Sequence, residues 1–262
     1  MEKDLVQSLK LDISKKFRLS PYERLAFHSI LSLRKNENAM KILRADLSKS
    51  PVVRKSAIKT LVTFQHEEVH DILVNLLKKE LSIDETITII DYLANNGRKQ
   101  EIPLLRDFIS NSIQNPALSP AIPHAFESIR QIGLPDNETR SFLTGLIEDN
   151  NIEPYIKYYA IRACTMFRDT ALFENLLKQN NEQIESSCFN ALAILARKIR
   201  KESEQQKEEK EREYGYQPTA TDPDDSTIVD IRVLLGKFSN RFQEYETATK
   251  LSFIEAMIES NH

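Results

Sequence analysis

The sequence contains few of the residues that build glycine-rich loops or sheets with tight turns. Among its 262 residues are 5 glycines and no tryptophan. The glycines are scattered, so no phosphate-binding loop is present, because such a loop needs closely spaced glycines whose backbone approaches the phosphate. No serine lies in a nucleophile-elbow motif either. These absences argue against β-rich folds and against enzymes that are built on either motif.

Long apolar runs are also missing. No stretch approaches the roughly 18 uninterrupted apolar residues that a membrane-spanning helix needs. The first residues, MEKDLVQSLKLDISKKF, are charged throughout and lack the apolar region of a secretory signal. Cys164 and Cys188, the two cysteines of the sequence, fall at apolar positions of a repeated pattern and are predicted to be buried thiols. With Met1 as the true start, these features predict a cytoplasmic protein.

Charge is spread unevenly along the chain. Residues 1–60 contain 14 Lys and Arg against 6 Asp and Glu, a net charge of +8, whereas the remainder contains 22 against 33, a net charge of −11. Such asymmetry can indicate an anionic partner for the basic end. It can also reflect two ends that pack against each other in an assembly, or simply a solvated surface.

A short apolar pattern with helical spacing returns six times. It places one apolar residue, a second four positions later and a third three positions after that. The triplets are Ala26/Ile30/Leu33, Ala57/Leu61/Phe64, Ile89/Leu93 with Asn96 in third place, Ala125/Ile129/Ile132, Ala160/Cys164/Phe167 and Cys188/Leu192/Leu195. Their central members lie 31, 32, 36, 35 and 28 residues apart. This period predicts a stacked helical solenoid.

The starts and ends of the first helices repeat as well. A serine that can cap a helix stands before a proline that suits the first helical position. The starts are Ser20-Pro21, Ser50-Pro51 and Ser119-Pro120, then Ser82 with Glu85, and Pro154. Ser20 with Glu23 and Ser82 with Glu85 are predicted capping boxes. Gly97 and Gly133 stand where the third and fourth first helices are expected to end.

Each first helix is followed by a turn and a second helix. The second helices are predicted at roughly 38–48, 67–79, 100–111, 136–148 and 169–179, from apolar residues that again recur at helical spacing. A helix pair of this size cannot bury its apolar stripe alone, so five or six pairs are expected to stack into one core.

Residues 50–80 resemble a HEAT repeat, more specifically the short HEAT-like type first associated with phycobilisome lyases. The matching residues are Pro51, Val53, Arg54, Ala57, Leu61, Val69, Leu73 and Leu76. Residues 152–180 are similar, with Lys157 in the place of Arg54. The resemblance covers about residues 20–199 and implies a right-handed superhelix whose second helices line the concave side and bind a partner. Lyase activity does not carry over, because no phycobilin-site motif is present.

The expected fold is therefore all-α, a right-handed α-solenoid of about six HEAT-like helix pairs with a C-terminal helical extension. Residues 1–199 form the solenoid. Residues 200–226 form a charged helical extension, continuous with the last repeat helix, and a loop. The segment 227–262 is predicted to consist mainly of a long amphipathic helix at about 226–259. The apolar stripe of this helix includes Leu251, Ile254 and Ile258. This helix either caps the open end of the solenoid or pairs with a helix of another chain.

One string resembles a catalytic motif. Residues 66–70, HEEVH, match the H-E-x-x-H signature of zinc proteases, which needs both imidazoles on one face of a continuous helix and a third ligand. The repeat pattern instead places His66 in a turn, Glu67 and Glu68 in the first turn of a helix, and both histidines at the surface. No third-ligand motif follows. Metal-dependent hydrolysis is accordingly a remote alternative, and no catalytic residue, metal or cofactor is expected.

Candidate binding residues come from the second helices. Aligning these helices gives one row with Arg44, Val74, Arg106, Thr144 and Glu174, and a neighbouring row with Ala45, Asn75, Asp107, Gly145 and Asn175. The small second row can let a partner helix or peptide approach, or can ease packing between units. We predict a non-catalytic interaction scaffold that binds a protein or peptide through Lys41, Arg44, Asn75, Arg106, Asp107 and Asn175.

Nucleic-acid binding is the alternative function. A basic region surrounds the first two repeats, and basic faces bind phosphates without reading sequence. Its members are Lys41, Arg44, Lys49, Arg54, Lys55 and Lys59.

Overall fold

The computed structural model describes residues 20–34, 37–64, 66–133, 135–214 and 225–261. Within these ranges all regular structure is helical and no strand is present, so the expected all-α class is confirmed. The α-helices are α1 Pro21–Arg34, α2 Glu37–Asp46, α3 Pro51–Leu61, α4 Glu67–Leu77, α5 Ile83–Asn96, α6 Ile102–Ile113, α7 Ile122–Ile132, α8 Asn137–Glu148, α9 Pro154–Ala163, α10 Thr170–Leu177, α11 Glu182–Tyr214, α12 Ser226–Phe238 and α13 Thr247–Asn261.

The chain divides into two compact units, of which the first ends at Ser128 and the second begins at Ile129, inside α7. In unit 1, α1, α3 and α5 contact one another in succession, α2 contacts α1 and α3, and α4 contacts α5. In unit 2, α9 contacts α8 and α11, α11 contacts α13, and α12 contacts α10, α11 and α13. The expected second helices are present as α2, α4, α6, α8 and α10, with bounds within a few residues of the predicted ones.

Local hydrogen bonds explain several helix starts. Ser20 and Glu23 form the predicted capping box, because Glu23 Oε2 accepts from the Ser20 amide at 2.7 Å and Ser20 Oγ accepts from the Glu23 amide at 3.3 Å. Helix α9 begins at Pro154, as predicted. The Ser50 side chain, in contrast, makes no capping hydrogen bond, although α3 does begin at Pro51.

The serine cap predicted at Ser119 is wrong. Ser119 is the first residue of a short 3-10 helix, Ser119–Ala121, and α7 begins only at Ile122. At the other end of α7, Gly133 has a φ of 67°, a left-handed conformation that glycine adopts without steric cost. The predicted stop at Gly133 is thereby confirmed.

The apolar triplets lie in the core except at the first helix. The central residues Leu61, Leu93, Cys164 and Leu192 are fully buried. The prediction that the first triplet lies in the core is wrong, because Ala26 is exposed, and Ile30 and Leu33 are 43% and 84% exposed. Helix α1 instead buries the neighbouring positions His28 and Leu31, which face α2 and α3.

Helix α11 confirms that the last repeat helix continues into the charged segment, since it runs without interruption over Glu182–Tyr214. The single long helix predicted at 226–259 is wrong. Helix α12 ends at Phe238, and α13 starts at Thr247 after a 3-10 turn. The chain reverses between them, so that Phe242 packs on Phe253 at 5.6 Å between ring centroids. The loop predicted at 214–226 lies almost entirely outside the described residues.

This reversal changes which face of the last helix is buried. Helix α13 runs parallel to α11, since Ser252 lies 3.3 Å from Ser186 and Glu259 lies 2.9 Å from Arg197. Phe253 and Ala256 are buried in this contact, whereas the predicted stripe of Leu251, Ile254 and Ile258 is 41% to 63% exposed. The predicted apolar face of this helix is therefore turned outward.

Three acidic residues act both as helix caps and as partners of a basic side chain from an earlier helix. We call them the cap acids: Glu85, Glu101 and Asp169. Glu85 accepts from the Ser82 amide at 2.8 Å and forms a bidentate pair with Arg54 at 2.8 and 3.0 Å. Asp169 accepts from the Ala171 amide at 3.0 Å and pairs with Arg140 at 2.6 Å. Glu101 accepts from the Arg98 amide and lies 3.3 Å from His70.

Candidate functional site

The H-E-x-x-H segment does not form a pair of exposed imidazoles. His66 is the residue before α4, and its Nδ1 accepts from the Glu68 amide at 3.2 Å, so only His70 is helical, as predicted. The expectation that both histidines are at the surface is wrong for His70, which is 4% exposed. His70 Nε2 lies 3.3 Å from Glu101 Oε1 but makes no hydrogen bond within the described residues.

A different feature brings several predicted site residues together. We call it the α2–α4 groove, an open depression of unit 1 bounded by α2, the turn after it and α4. Lys41 and Arg44 are exposed on α2, and Asn75 is exposed on α4. Arg44 donates to Glu68 Oε1 of α4 at 2.7 Å. This ion pair joins α2 to α4, and Arg44 lines two cavities of the groove.

The two cavities share Arg44 in their linings. The smaller measures about 310 Å³ and the larger about 380 Å³. The smaller is lined by Glu37, Met40, Lys41, Arg44, His66 and Glu68. The larger is lined by Arg44, Leu47, Ser48, Arg54, Ile72, Asn75, Leu76, Lys79, Glu80 and Leu81. Both volumes lie at the lower end of the range of ligand pockets, roughly 300–1,000 Å³.

The basic residues of the groove differ in whether a buried carboxylate holds them. Glu85 is fully buried, and its hydrogen bonds hold Arg54 and raise the pKa of that guanidinium. Burial raises the pKa of Glu85, but hydrogen bonds from Arg54 and Ser82 outweigh it and leave the pKa lowered. Arg44, in contrast, is 62% exposed and pairs with a Glu68 side chain that is 44% exposed. Arg44 is thus the accessible guanidinium of this groove.

The remaining predicted site residues are not part of the groove. Arg106 is half-buried and Asp107 exposed on α6, and neither lines the two cavities. Asn175 is exposed on α10 of unit 2. Within the predicted basic region, Arg54 and Lys55 are already paired with Glu85 and Asp84.

Sequence reasoning missed four residues that shape the groove. Glu68, Ile72 and Lys79 lie on one side of α4 and its end, and Leu47 follows α2. The spacing of Glu68, Ile72, Asn75 and Lys79 along α4 follows the helical repeat, which would have identified them as one face. That the Arg44 side chain reaches this face depends on tertiary packing and had no sequence signal.

No protein-family model matches the chain, and no curated protein is similar to it. The resemblance to HEAT repeats therefore stays a prediction. None of the helices in the described ranges is both long and apolar enough to cross a membrane. Among the same residues, no three His, Cys, Asp or Glu side chains are grouped as metal ligands.

Proposed function

We propose that the chain is a HEAT-like α-solenoid scaffold that binds a partner protein or peptide on its second-helix face and has no catalytic activity of its own. The observation that carries this proposal is the α2–α4 groove. Its two cavities combine apolar floor residues with an exposed guanidinium and an exposed amide, and that combination is what a peptide with mixed side chains requires.

The distribution of exposed apolar residues supports the stacked arrangement. Helices inside a stack are covered on both sides, whereas helices at either end of the described series have described neighbours on one side. Of the large apolar residues that are exposed in the described ranges, most lie on α1, α12 and α13: Tyr22, Ile30, Leu33, Val229, Val233, Leu251, Ile254 and Ile258. The intervening helices contribute only Val52 and Tyr155 to this set.

The test is a selection of random displayed peptides on the full chain, followed by a variant that fills the larger cavity. We expect Asn75→Trp to abolish binding of the selected peptides, because the indole occupies the space between α2 and α4. Asn95→Trp is the matched control, since Asn95 is an exposed asparagine of α5 that lines neither cavity. Failure to select any peptide, or equal binding by both variants, contradicts the proposal.

Nucleic-acid binding is the second candidate, favoured by the exposed Lys41 and Arg44. It predicts that a labelled DNA duplex binds with an affinity that falls steeply with salt concentration. Replacement of Lys41 and Arg44 by Glu is then expected to abolish binding. The cytoplasmic location and an oligomer formed through residues 227–259 remain predictions of the sequence.

A further inference from the structure

The ion pair across the α2–α4 groove is a weak one. Arg44 and Glu68 are 62% and 44% exposed, and pairs between such exposed side chains contribute little net free energy. The Arg44 guanidinium can therefore exchange Glu68 for another carboxylate without loss of a buried contact. The Arg54–Glu85 pair differs, because the Glu85 side chain is fully buried and accepts from two nitrogens of Arg54, Nε and Nη2.

The charges around Arg44 favour an acidic ligand once Glu68 is displaced. In the smaller cavity the charged residues are Glu37, Lys41, Arg44 and Glu68. In the larger cavity they are Arg44, Arg54, Lys79 and Glu80, with Arg54 already neutralised by Glu85. Arg44 is the one charge shared by both cavities, and Lys41 and Lys79 have no ion-pair partner among the described residues. A carboxylate at Arg44 thus has one further lysine on each side.

The apolar lining determines what accompanies the carboxylate. Leu47, Ile72, Leu76 and Leu81 line the larger cavity beside Arg44, and Met40 lines the smaller one. An apolar side chain next to an acidic residue would cover these groups and lose contact with water, which is favourable. A nucleic-acid backbone, in contrast, would bring a continuous row of phosphates past Glu37 and Glu80 and leave the apolar residues uncovered.

We propose that the α2–α4 groove binds an acidic peptide segment of a partner protein, and that the carboxylate of this segment replaces Glu68 on Arg44. An apolar side chain of the same segment occupies the larger cavity. Glu68 then competes with the peptide carboxylate for Arg44 and lowers the affinity of the groove for the peptide. This inference rests on the proposed function, since it specifies the partner of the same site.

The experiment compares a selected peptide with its variants on the intact protein. Peptides recovered from the random library are expected to carry Glu or Asp next to an apolar residue. We expect Arg44→Gln to weaken binding of such a synthetic peptide about tenfold or more, because a hydrogen bond to a charged group is lost. Replacement of the acidic residue in the peptide by its amide is expected to have the same effect, and the two changes together no additional one.

Glu68→Gln provides the decisive measurement. We expect it to tighten peptide binding about threefold, because it removes the competing charge of an exposed pair. A purely structural role of the Arg44–Glu68 pair predicts weaker binding or no change. Unaltered circular dichroism of each variant shows that the helices are intact.

The outcomes separate the two proposals. The selected peptides could lose binding to the Asn75→Trp variant, carry no acidic residue and bind the Glu68→Gln variant as they bind the wild type. That result overturns the acidic ligand but is consistent with a peptide-binding site. Absence of any peptide whose binding Asn75→Trp abolishes overturns both. A labelled DNA duplex that binds the wild-type chain more tightly than every selected peptide, and is lost with Arg44→Gln, overturns the peptide ligand in favour of nucleic acid.

Discussion

Equivalent second-helix positions in the two units have different surroundings. In unit 1, Arg44 is 62% exposed and its guanidinium pairs with the exposed Glu68 side chain. In unit 2 the aligned residue Glu174 is 25% exposed and pairs with Lys178 of its own turn and with Lys237 of α12. These two lysines lower the pKa of Glu174. In unit 2 the partner of this second-helix position thus comes from a later helix of the same chain, whereas among the described residues of unit 1 it comes from the next second helix.

The cores of the two units also differ. Unit 2 contains a cluster of aromatic rings in which α13 packs onto α11, and both cysteines of this unit are buried. Both units contain a buried acid that is paired with an arginine, Glu85 in unit 1 and Glu185 in unit 2. Unit 1 also contains a buried histidine. His28 Nε2 lies 2.9 Å from Asp46 Oδ2, and its Nδ1 lies 2.9 Å from Ser56 Oγ. The two cores thus share a buried ion pair, and they differ in the aromatic cluster of unit 2 and the buried histidine–aspartate pair of unit 1.

The largest expected effect tests the aromatic core of unit 2. Phe189 is fully buried, with its ring centroid 5.0 Å from that of Phe253. We expect Phe189→Ala to lower the free energy of unfolding by about 4 kcal/mol, because it leaves a cavity in a packed core. Urea unfolding followed by circular dichroism measures the loss. Ile254→Ala, on the exposed side of α13, is the control and is expected to leave the midpoint unchanged.

Thiol labelling localises that loss to unit 2, since Cys164 and Cys188 are the only cysteines of the sequence. Burial raises the pKa of Cys164 to about 12 and also raises that of Cys188. Both thiols are therefore protonated and protected at neutral pH. The Phe189→Ala variant should react faster with a thiol reagent, and an unchanged rate would contradict the role assigned to this ring.

The next effect tests the polar pairing of unit 1. Glu85→Gln leaves Arg54 without its counter-ion, and loss of one partner of a buried pair costs about 3 kcal/mol. Asp84→Asn is a matched control one residue away, because Asp84 is exposed and pairs with the exposed Lys55. The difference in urea midpoint between the two variants is the measurement. Equal urea midpoints would show that the buried Arg54–Glu85 pair stabilises the fold no more than the exposed Lys55–Asp84 pair does.

A smaller effect concerns the loss of stability at low pH. Burial raises the pKa of Asp46, but hydrogen bonds from His28 and Arg24 outweigh it and hold the pKa below its usual value. A lowered folded-state pKa contributes stability that is complete above the unfolded value, about 4, and is lost as the pH falls through the folded one. We expect Asp46→Asn to reduce the fall of the urea midpoint between neutral pH and pH 3. The exposed Asp71→Asn should reproduce the wild-type slope.

The smallest effect tests the outer face of α13. Leu251 is 63% exposed, so Leu251→Lys is expected to change the free energy of unfolding by less than about 0.5 kcal/mol. A substantially larger loss would mean that this face is covered, either by residues outside the described ranges or by a second copy. Sedimentation velocity distinguishes these cases, because only the second changes the mass of the particle.

Sequence reasoning predicted the helices well and their exposed faces less well. The proline start of α9 and the uninterrupted α11 followed from local chemistry, which acts within a few residues. The first triplet and the stripe of α13 did not, because a periodic apolar pattern identifies a face but not the helix that covers it. Ile30 and Leu251 belong to helices at which the series of described neighbours stops, so an apolar residue there can remain exposed.

The candidate site shows the same limit. Arg44 and Asn75 follow from the alignment of second helices, and both line the larger cavity. The bridge to Glu68 depends on the side-chain conformation of Arg44 and on the separation of α2 from α4, and neither has a signature in the sequence. The resemblance to HEAT repeats predicted a binding face formed by the second helices. It did not predict the groove between α2 and α4, because the groove depends on how these two helices are placed.

The cap acids link the formation of one helix to the docking of another. Glu85 accepts hydrogen bonds both at the start of α5 and from Arg54 of α3, and Asp169 does the same for α10 and Arg140 of α8. Starting a helix is the unfavourable step of its formation. A carboxylate that lowers this barrier and is itself neutralised by the preceding pair supplies a nearest-neighbour coupling energy. We therefore expect the stability of α5 and of α10 to depend on the earlier helix that supplies the arginine.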